Sequence, residues 1–170
     1  MDAPSIDEFR SIILENYRQE GRDLPWRHTR EPWAILVSEI MLQQTQTDRV
    51  AAYWQTWLER WPQPASLAQE SLDEVLAAWS GLGYNRRALF LREAARCIVR
   101  DHEGRMPGTA AELQSLPGVG PYTAGATACF AYGEPVVIIE TNIRSVFLHF
   151  FFNDKTDIHD RELFPLIEKT

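Results

Sequence analysis

Apolar positions recur at helical spacing along most of this chain. Ile6, Phe9, Ile13 and Tyr17 share one face and predict an amphipathic helix that Gly21 ends. From Pro32 to Gln44 the pattern changes. Trp33-Ala34-Ile35-Leu36-Val37 and Ile40-Met41-Leu42 leave almost no polar face, which predicts a buried helix. A further helix runs from Thr45, with Thr45 and Asp48 as its candidate caps, to Trp61. Ser71 and Glu74 box the start of the next, which ends at Trp79. Gly81-Leu82-Gly83-Tyr84 reads as a tight turn, followed by a helix from about Asn85 to His102. Ile143-Arg144-Ser145-Val146-Phe147-Leu148 starts another buried helix, and Asp157-Ile158-His159-Asp160 opens a last one. No repeat or low-complexity segment interrupts this order.

Two places carry chemistry. The first is Leu113–Gly125, just before which Thr109 and Glu112 form a capping box that starts a short helix whose apolar face is Leu113 and Leu116. Pro117 stops that helix. Gly118 and Gly120 allow a tight, partly left-handed turn, and Pro121 suits the first position of the helix that follows. The hairpin aims glycine amides and a helix N-terminus at one spot, which favours an anion. An αα-corner that needs small residues for packing satisfies the same glycines. The second place is Glu39, in the middle of the buried helix. Burial disfavours the charged form and raises a carboxyl pKa, the condition a general acid needs. A Glu on a narrow polar stripe, bonded to a neighbouring side chain, is the alternative.

Composition narrows the classes. The chain has 170 residues, 45% of them hydrophobic, with 6 Trp, so one or two small domains with a real core are expected and disorder is not. No basic-then-apolar leader is seen, and Phe147–Phe152, the most apolar stretch, is far too short to span a bilayer. A cytoplasmic protein with no membrane partner is expected. Cys97 and Cys129 read as reduced core residues, and His28, His102, His149 and His159 lack metal-ligand spacing. The net charge of −7 argues against a nucleic acid, but its distribution is uneven. Arg86, Arg87, Arg92, Arg96, Arg100 and Arg105 cluster, whereas acid gathers at the ends: Asp2, Asp7, Glu8, Glu15 and Glu20, then Asp154, Asp157, Asp160 and Glu162. The cluster is compatible with one DNA-facing side or with a solvated helix face.

Leu116-Pro117-Gly118-Val119-Gly120-Pro121-Tyr122-Thr123-Ala124-Gly125 closely resembles the helix-hairpin-helix of base-excision DNA glycosylases, above all the adenine (MutY-type) glycosylases. Ser38-Glu39-Ile40-Met41-Leu42-Gln43-Gln44-Thr45-Gln46-Thr47 matches the signature of that type nearly letter for letter, and Pro25-Trp26-Arg27 and Gly81-Leu82-Gly83-Tyr84 resemble it too. The resemblance covers roughly residues 24–147. It implies an all-α, two-lobed helical glycosylase fold, with the DNA cleft between the lobes. Residues 24–134 would form a helical barrel domain holding the hairpin at about 109–131. Residues 1–23 with 135–170 would form a second lobe, incomplete at its C-terminus.

The resemblance also implies roles. Glu39 would protonate adenine so that the base can leave, Gln44 would wedge into the duplex, and Gln43 and Thr45 beside it would contact DNA. Tyr84 would touch DNA near the lesion, with Arg86 and Arg87 as phosphate contacts. Leu116, Gly118, Val119, Gly120 and Thr123 of the hairpin would grip a phosphate, helped by a monovalent cation at the hairpin carbonyls. Gly133 and Pro135 lead to Glu140, which stands where the family has a catalytic aspartate, and Asn142 would hold that carboxylate or a phosphate. Hydrolysis needs one carboxyl group to protonate the leaving group and another to stabilise the oxocarbenium-like sugar, so Glu39 and Glu140 form the natural pair. Tyr122 replaces the lysine of bifunctional, endonuclease III-type relatives, which implies a monofunctional enzyme without β-lyase activity. The expected substrate is a mispaired adenine in double-stranded DNA, in base excision repair. A uracil or thymine mismatch glycosylase and a non-catalytic mismatch-binding protein are the alternatives. The four-cysteine motif of the family's usual [4Fe-4S] cluster is absent from this sequence, as is a domain that reads 8-oxoguanine, so no cofactor is expected in these residues. A nucleoid-associated monomer is expected.

Overall fold

Ser5 Oγ accepts from the Glu8 amide, and Glu8 Oε2 accepts in return from the Ser5 amide at 2.8 Å, so a capping box starts α1, Ile6–Glu20. The computed structural model describes residues 4–153, 155 and 157–170. Asp2 and Asp154, counted above among the terminal acids, lie outside them. Every regular element among the described residues is helical: α1, a 3-10 turn at Pro25–His28, α2 (Pro32–Leu42), α3 (Thr47–Arg60), α4 (Pro64–Ala68), α5 (Leu72–Trp79), α6 (Arg86–Asp101), α7 (Ala110–Leu113), α8 (Pro121–Tyr132), α9 (Thr141–Phe152) and α10 (Asp160–Ile167).

The chain divides into two units, Leu24–Val136 and a second made of the N-terminal segment to Asp23 with Val137–Thr170. In the second unit, Phe9 of α1 meets the rings of Phe147, Phe150 and Phe151 of α9 at 5.0 to 5.1 Å, and Leu163 of α10 completes the core. Phe147 is the one fully buried residue of α9. The segment expected as a buried helix is therefore mostly half-covered.

The larger unit is built around α2, whose residues Trp33 to Met41 are all buried. Two of the neighbouring indoles find acceptors, whereas the buried Trp57 Nε1 has none among the described residues. Trp33 Nε1 donates to the Trp61 carbonyl at 3.1 Å, and Trp54 Nε1 to the Ala34 carbonyl at 2.8 Å. Trp57, Trp61 and Trp79 stack edge to face, with Trp57 centroids 4.4 and 5.3 Å from the other two. On α8, Ala124, Gly125, Ala126 and Ala128 are buried, and their small side chains permit close approach to α2.

Three expectations need correction. Gln46, not Thr45 or Asp48, precedes α3, and no side chain caps that helix; Thr45 is drawn away by Arg87, described below. Cys129 is exposed and Cys97 half-buried, its thiol donating to Asp101 at 3.2 Å, so neither is a core residue. The arginine cluster does not form one free basic face. Arg92 Nε donates to the Glu70 carbonyl at 2.8 Å and Arg96 Nε to the Ala68 carbonyl at 3.2 Å, bracing the end of α4, and Arg100 pairs with Asp101. An arginine on an amphipathic helix readily caps the carbonyl end of a neighbouring helix.

The box at α7 is present as read. Thr109 Oγ1 accepts from the Glu112 amide, and Glu112 Oε2 accepts from the Thr109 amide, both at 3.2 Å. Thr109→Ala is expected to cost about 1 kcal/mol and lower the thermal midpoint by about 4 °C, read by circular dichroism.

Candidate functional site

Glu39 is only 8% exposed, and it has no hydrogen-bond partner among the described residues. Burial alone pushes its carboxyl up to about 7. The alternative of a Glu bonded on a polar stripe is not what the structure shows. One helical turn further on, α2 ends at Gln43, whose Nε2 donates to Thr123 Oγ1 of α8 at 3.2 Å. Glu39 and Gln43 are four residues apart and so lie on one face.

Past Gln43 the chain turns sharply. Gln44 has φ +57°, and Tyr84, in the turn before α6, has φ +49°. Such left-handed backbone is uncommon for residues with a side chain and persists only where the surroundings hold it. Tyr84 is 64% exposed. The two residues line one open cavity of about 710 Å³ together with Gln43, Asn85, Arg86, Arg87, Phe90 and Gly118. Gly118 has φ +75°, and a Cβ there would lie 2.4 Å from Phe90 Cβ. Phe90 also carries the Arg86 guanidinium, 5.1 Å from its ring centroid.

The hairpin itself closes through the Val119 amide on the Leu116 carbonyl at 3.1 Å. Leu116, Val119 and Thr123 turn their side chains into the core, so a DNA contact at these three positions belongs to the main chain. Gly120, extended at φ −84°, precedes α8, and Tyr122 on its first turn is 46% exposed. Gln43, Gln44, Tyr84, Arg86, Gly118 and the start of α8 are thus gathered at one end of this unit.

Arg87 is the clear departure from the sequence reading. It is 7% exposed and cannot serve as a surface phosphate contact. Its guanidinium bonds the end of α2, the Thr45 hydroxyl and the Gly81–Tyr84 turn, the carbonyl-rich setting that holds a buried cation. Arg86, next to it, remains on the cavity. Thr45 is likewise committed to this clamp.

In the other unit, Glu140 is the N-cap of α9. Its Oε1 accepts from the Asn142 and Ile143 amides, both at 2.9 Å, and its Oε2 from Asn142 Nδ2 at 3.3 Å. Of the two partners open to Asn142, the structure shows the Glu140 carboxylate. Glu is a less common cap than Asp because of its longer arm, so nothing in α9 foretold the bond except the turn signal at Gly133 and Pro135.

No cluster of three or more His, Cys, Asp or Glu suited to a metal occurs among the described residues. The two cysteines of the chain sit on α6 and α8 and fall short of the thiolates that a four-cysteine cluster requires. No described helix is long and apolar enough to cross a membrane.

Residues 37–168 match the HhH-GPD superfamily base excision DNA repair protein family. The chain is 51% identical over 151 residues to the adenine DNA glycosylase of Mycobacterium tuberculosis (strain CDC 1551 / Oshkosh), covering 86% of this chain and 50% of that protein. To the adenine DNA glycosylase of Mus musculus it is 45% identical over 154 residues, 85% of this chain and 30% of that one. It therefore spans half or less of the length of these relatives. Among solved structures, a thermostable thymine-DNA glycosylase superposes with a TM-score of 0.83 at 26% identity, over 98% of this chain and 80% of that one.

Proposed function

The chain belongs to the HhH-GPD superfamily of base excision DNA repair proteins, and from that premise we propose that it is a monofunctional DNA glycosylase that releases a mispaired adenine from double-stranded DNA. The observation that carries the reading is Glu39, buried and without a partner, one turn before the Gln43-Gln44 loop. A carboxyl with a pKa near 7 still holds its proton at neutrality in a large fraction of molecules, which is what a general acid requires. In this reading Glu39 passes that proton to the adenine ring as the C1′–N9 bond breaks, so the base departs neutral. The Glu140 carboxylate, oriented by Asn142, stabilises the positive charge left on the sugar, and water adds at C1′. The base must first leave the stack. Gln44 supplies the wedge, Tyr84 supports the lesion side, and the hairpin main chain at Gly118 and Gly120 grips a phosphate, with a monovalent cation at its carbonyls. Backbone contacts of that kind fix register without reading sequence.

Tyr122 has a phenol where a lyase needs an amine, so borohydride is expected to trap no covalent adduct with DNA. The test of the whole reading is single-turnover base release from duplexes holding A opposite G, A opposite 8-oxoguanine, T opposite G and U opposite G, with alkali to reveal abasic sites. Adenine release is the expected result. The likeness to a thymine-DNA glycosylase makes thymine opposite guanine the second substrate, and release of thymine alone would move the assignment there. Binding without release from any duplex would reduce the chain to a mismatch-binding protein.

Glu140→Gln removes the charge and keeps an oxygen able to cap α9. We expect release to fall by about a hundredfold or more, in line with loss of one preorganised electrostatic stabiliser, while the helix content and mismatch affinity stay at the parent values.

A further inference from the structure

Arg87 is the buried charged group that the proposed chemistry does not use. Its Nη1 donates to the carbonyls of Ile40, Met41 and Gln43 at 3.1, 2.8 and 2.5 Å. Its Nη2 donates to Thr45 Oγ1 and to the carbonyls of Leu82 and Gly83 at 3.0, 3.3 and 3.0 Å. These acceptors belong to the last turn of α2 with the loop that follows it and to the turn before α6, segments far apart in sequence, and they flank the two strained residues. Gln44 lies between Gln43 and Thr45, and Tyr84 follows Gly83. The guanidinium is 5.5 Å from the Tyr84 ring centroid and 5.3 Å from that of Trp79. A planar fork with donors at both tips can hold both loops in one plane, which a lysine ammonium cannot.

We infer that Arg87 is a positioning residue that locks Gln44 and Tyr84 in their left-handed conformations together, before DNA arrives. It thereby makes wedge and lesion-side contact act as one device in base extrusion. The inference rests on the glycosylase reading for what Gln44 and Tyr84 do, but the lock itself does not. Burial alone raises the Glu39 carboxyl, with no contribution from Arg87, so Arg87 governs how often a base is extruded and not the pH at which it is released. Holding two groups in the productive geometry in advance removes an ordering cost from the extrusion step.

The experiment uses the whole chain with Arg87→Lys, and Thr45→Val as a milder variant should Arg87→Lys fail to fold. Backbone and Cα chemical shifts at Gln44 and Tyr84 report the left-handed conformation without DNA. A duplex with 2-aminopurine opposite guanine reports extrusion by its fluorescence rise, without cleavage. In the folded variant we expect both shifts to move toward averaged values together and the extrusion rate to fall about tenfold or more. The pH midpoint of base release is expected to stay at the parent value. Gln44→Ala and Arg87→Lys combined are expected to lose less than the product of their separate losses, because each disables the same device. Parent shifts and parent extrusion in a folded Arg87→Lys or Thr45→Val chain would overturn the inference, as would fully multiplicative losses. Absence of base release from the parent protein would count against the glycosylase reading alone, since the shifts and the fluorescence still judge the lock.

Discussion

Glu39→Gln is expected to lower single-turnover base release by about a thousandfold, within the range usual for removal of a general acid, and at the same time to make the protein more stable above neutral pH. The two effects have one cause. Burial raises the Glu39 carboxyl from 4.5 to about 7 in the folded chain. The folded state keeps a proton that the unfolded chain releases from about pH 4.5 upward. Stability from this group is therefore complete below pH 4.5 and is lost as pH rises through 7, a swing of about 3 kcal/mol at roughly 1.4 kcal/mol per unit. Glutamine never ionises, so the variant escapes that loss. Denaturant titrations at pH 4 and pH 8 read the difference directly: near-equal stability at pH 4, and a gain of about 3 kcal/mol for the variant at pH 8. The rate side has a matching signature. Release by the parent protein is expected to fall about tenfold per unit above pH 7, as the proton to be donated disappears. A variant that lost activity without gaining stability at pH 8 would show that Glu39 is paired or hydrated in solution.

Gly118→Ala carries the second large effect, and it acts through space and backbone together. The residue has φ +75°, and its new Cβ would fall 2.4 Å from Phe90 Cβ and 2.8 Å from Phe90 Cγ, atoms close to the main chain of α6 that cannot swing aside. Left-handed backbone costs an alanine about 1 kcal/mol, and overpacking adds about 2 kcal/mol. A loss of about 3 kcal/mol should lower the thermal midpoint by about 10 °C. The turn must also shift, carrying the Gly118 and Gly120 amides away from the phosphate they are proposed to hold, so duplex affinity should drop as well. Gly83→Ala is the control. Gly83 has φ +74° but nothing within 4 Å of a Cβ, so only the backbone cost of about 1 kcal/mol is expected. Equal losses at the two positions would mean that the Phe90 contact yields easily.

The parts that were legible from residue order are those where a local rule acts alone. Thr109 with Glu112, and Pro121 at the head of α8, are rules spanning a few residues, and the structure follows them. Glu39 stood out because a carboxylate in a helix with almost no polar face, flanked by the apolar runs 33–37 and 40–42, has no solvent face to escape to. Arg87 was unreadable for the opposite reason. It stands among arginines on a helix, and only the approach of the α2 terminus, some forty residues earlier in the chain, turns it inward. Thr45 was misread as a cap because its hydroxyl has a better claimant in that same guanidinium. Cys129 was misread because α8 uses its alanines, not its larger residues, against α2. Long-range pairing decides such cases, and a single sequence does not encode it in any local pattern.

All 6 tryptophans lie between Trp26 and Trp79, within Leu24–Val136, while the other unit is cored by phenylalanine. Optically, the molecule is therefore one bright half and one dark half. A melting curve followed by indole emission tracks only the half that holds Glu39 and the hairpin, and it can look perfectly cooperative while the Glu140 half is already open. Far-ultraviolet dichroism sees the helices of both. Coincidence of those two curves is the criterion for a single transition; a tryptophan introduced near Phe150 would give the dark half a voice of its own.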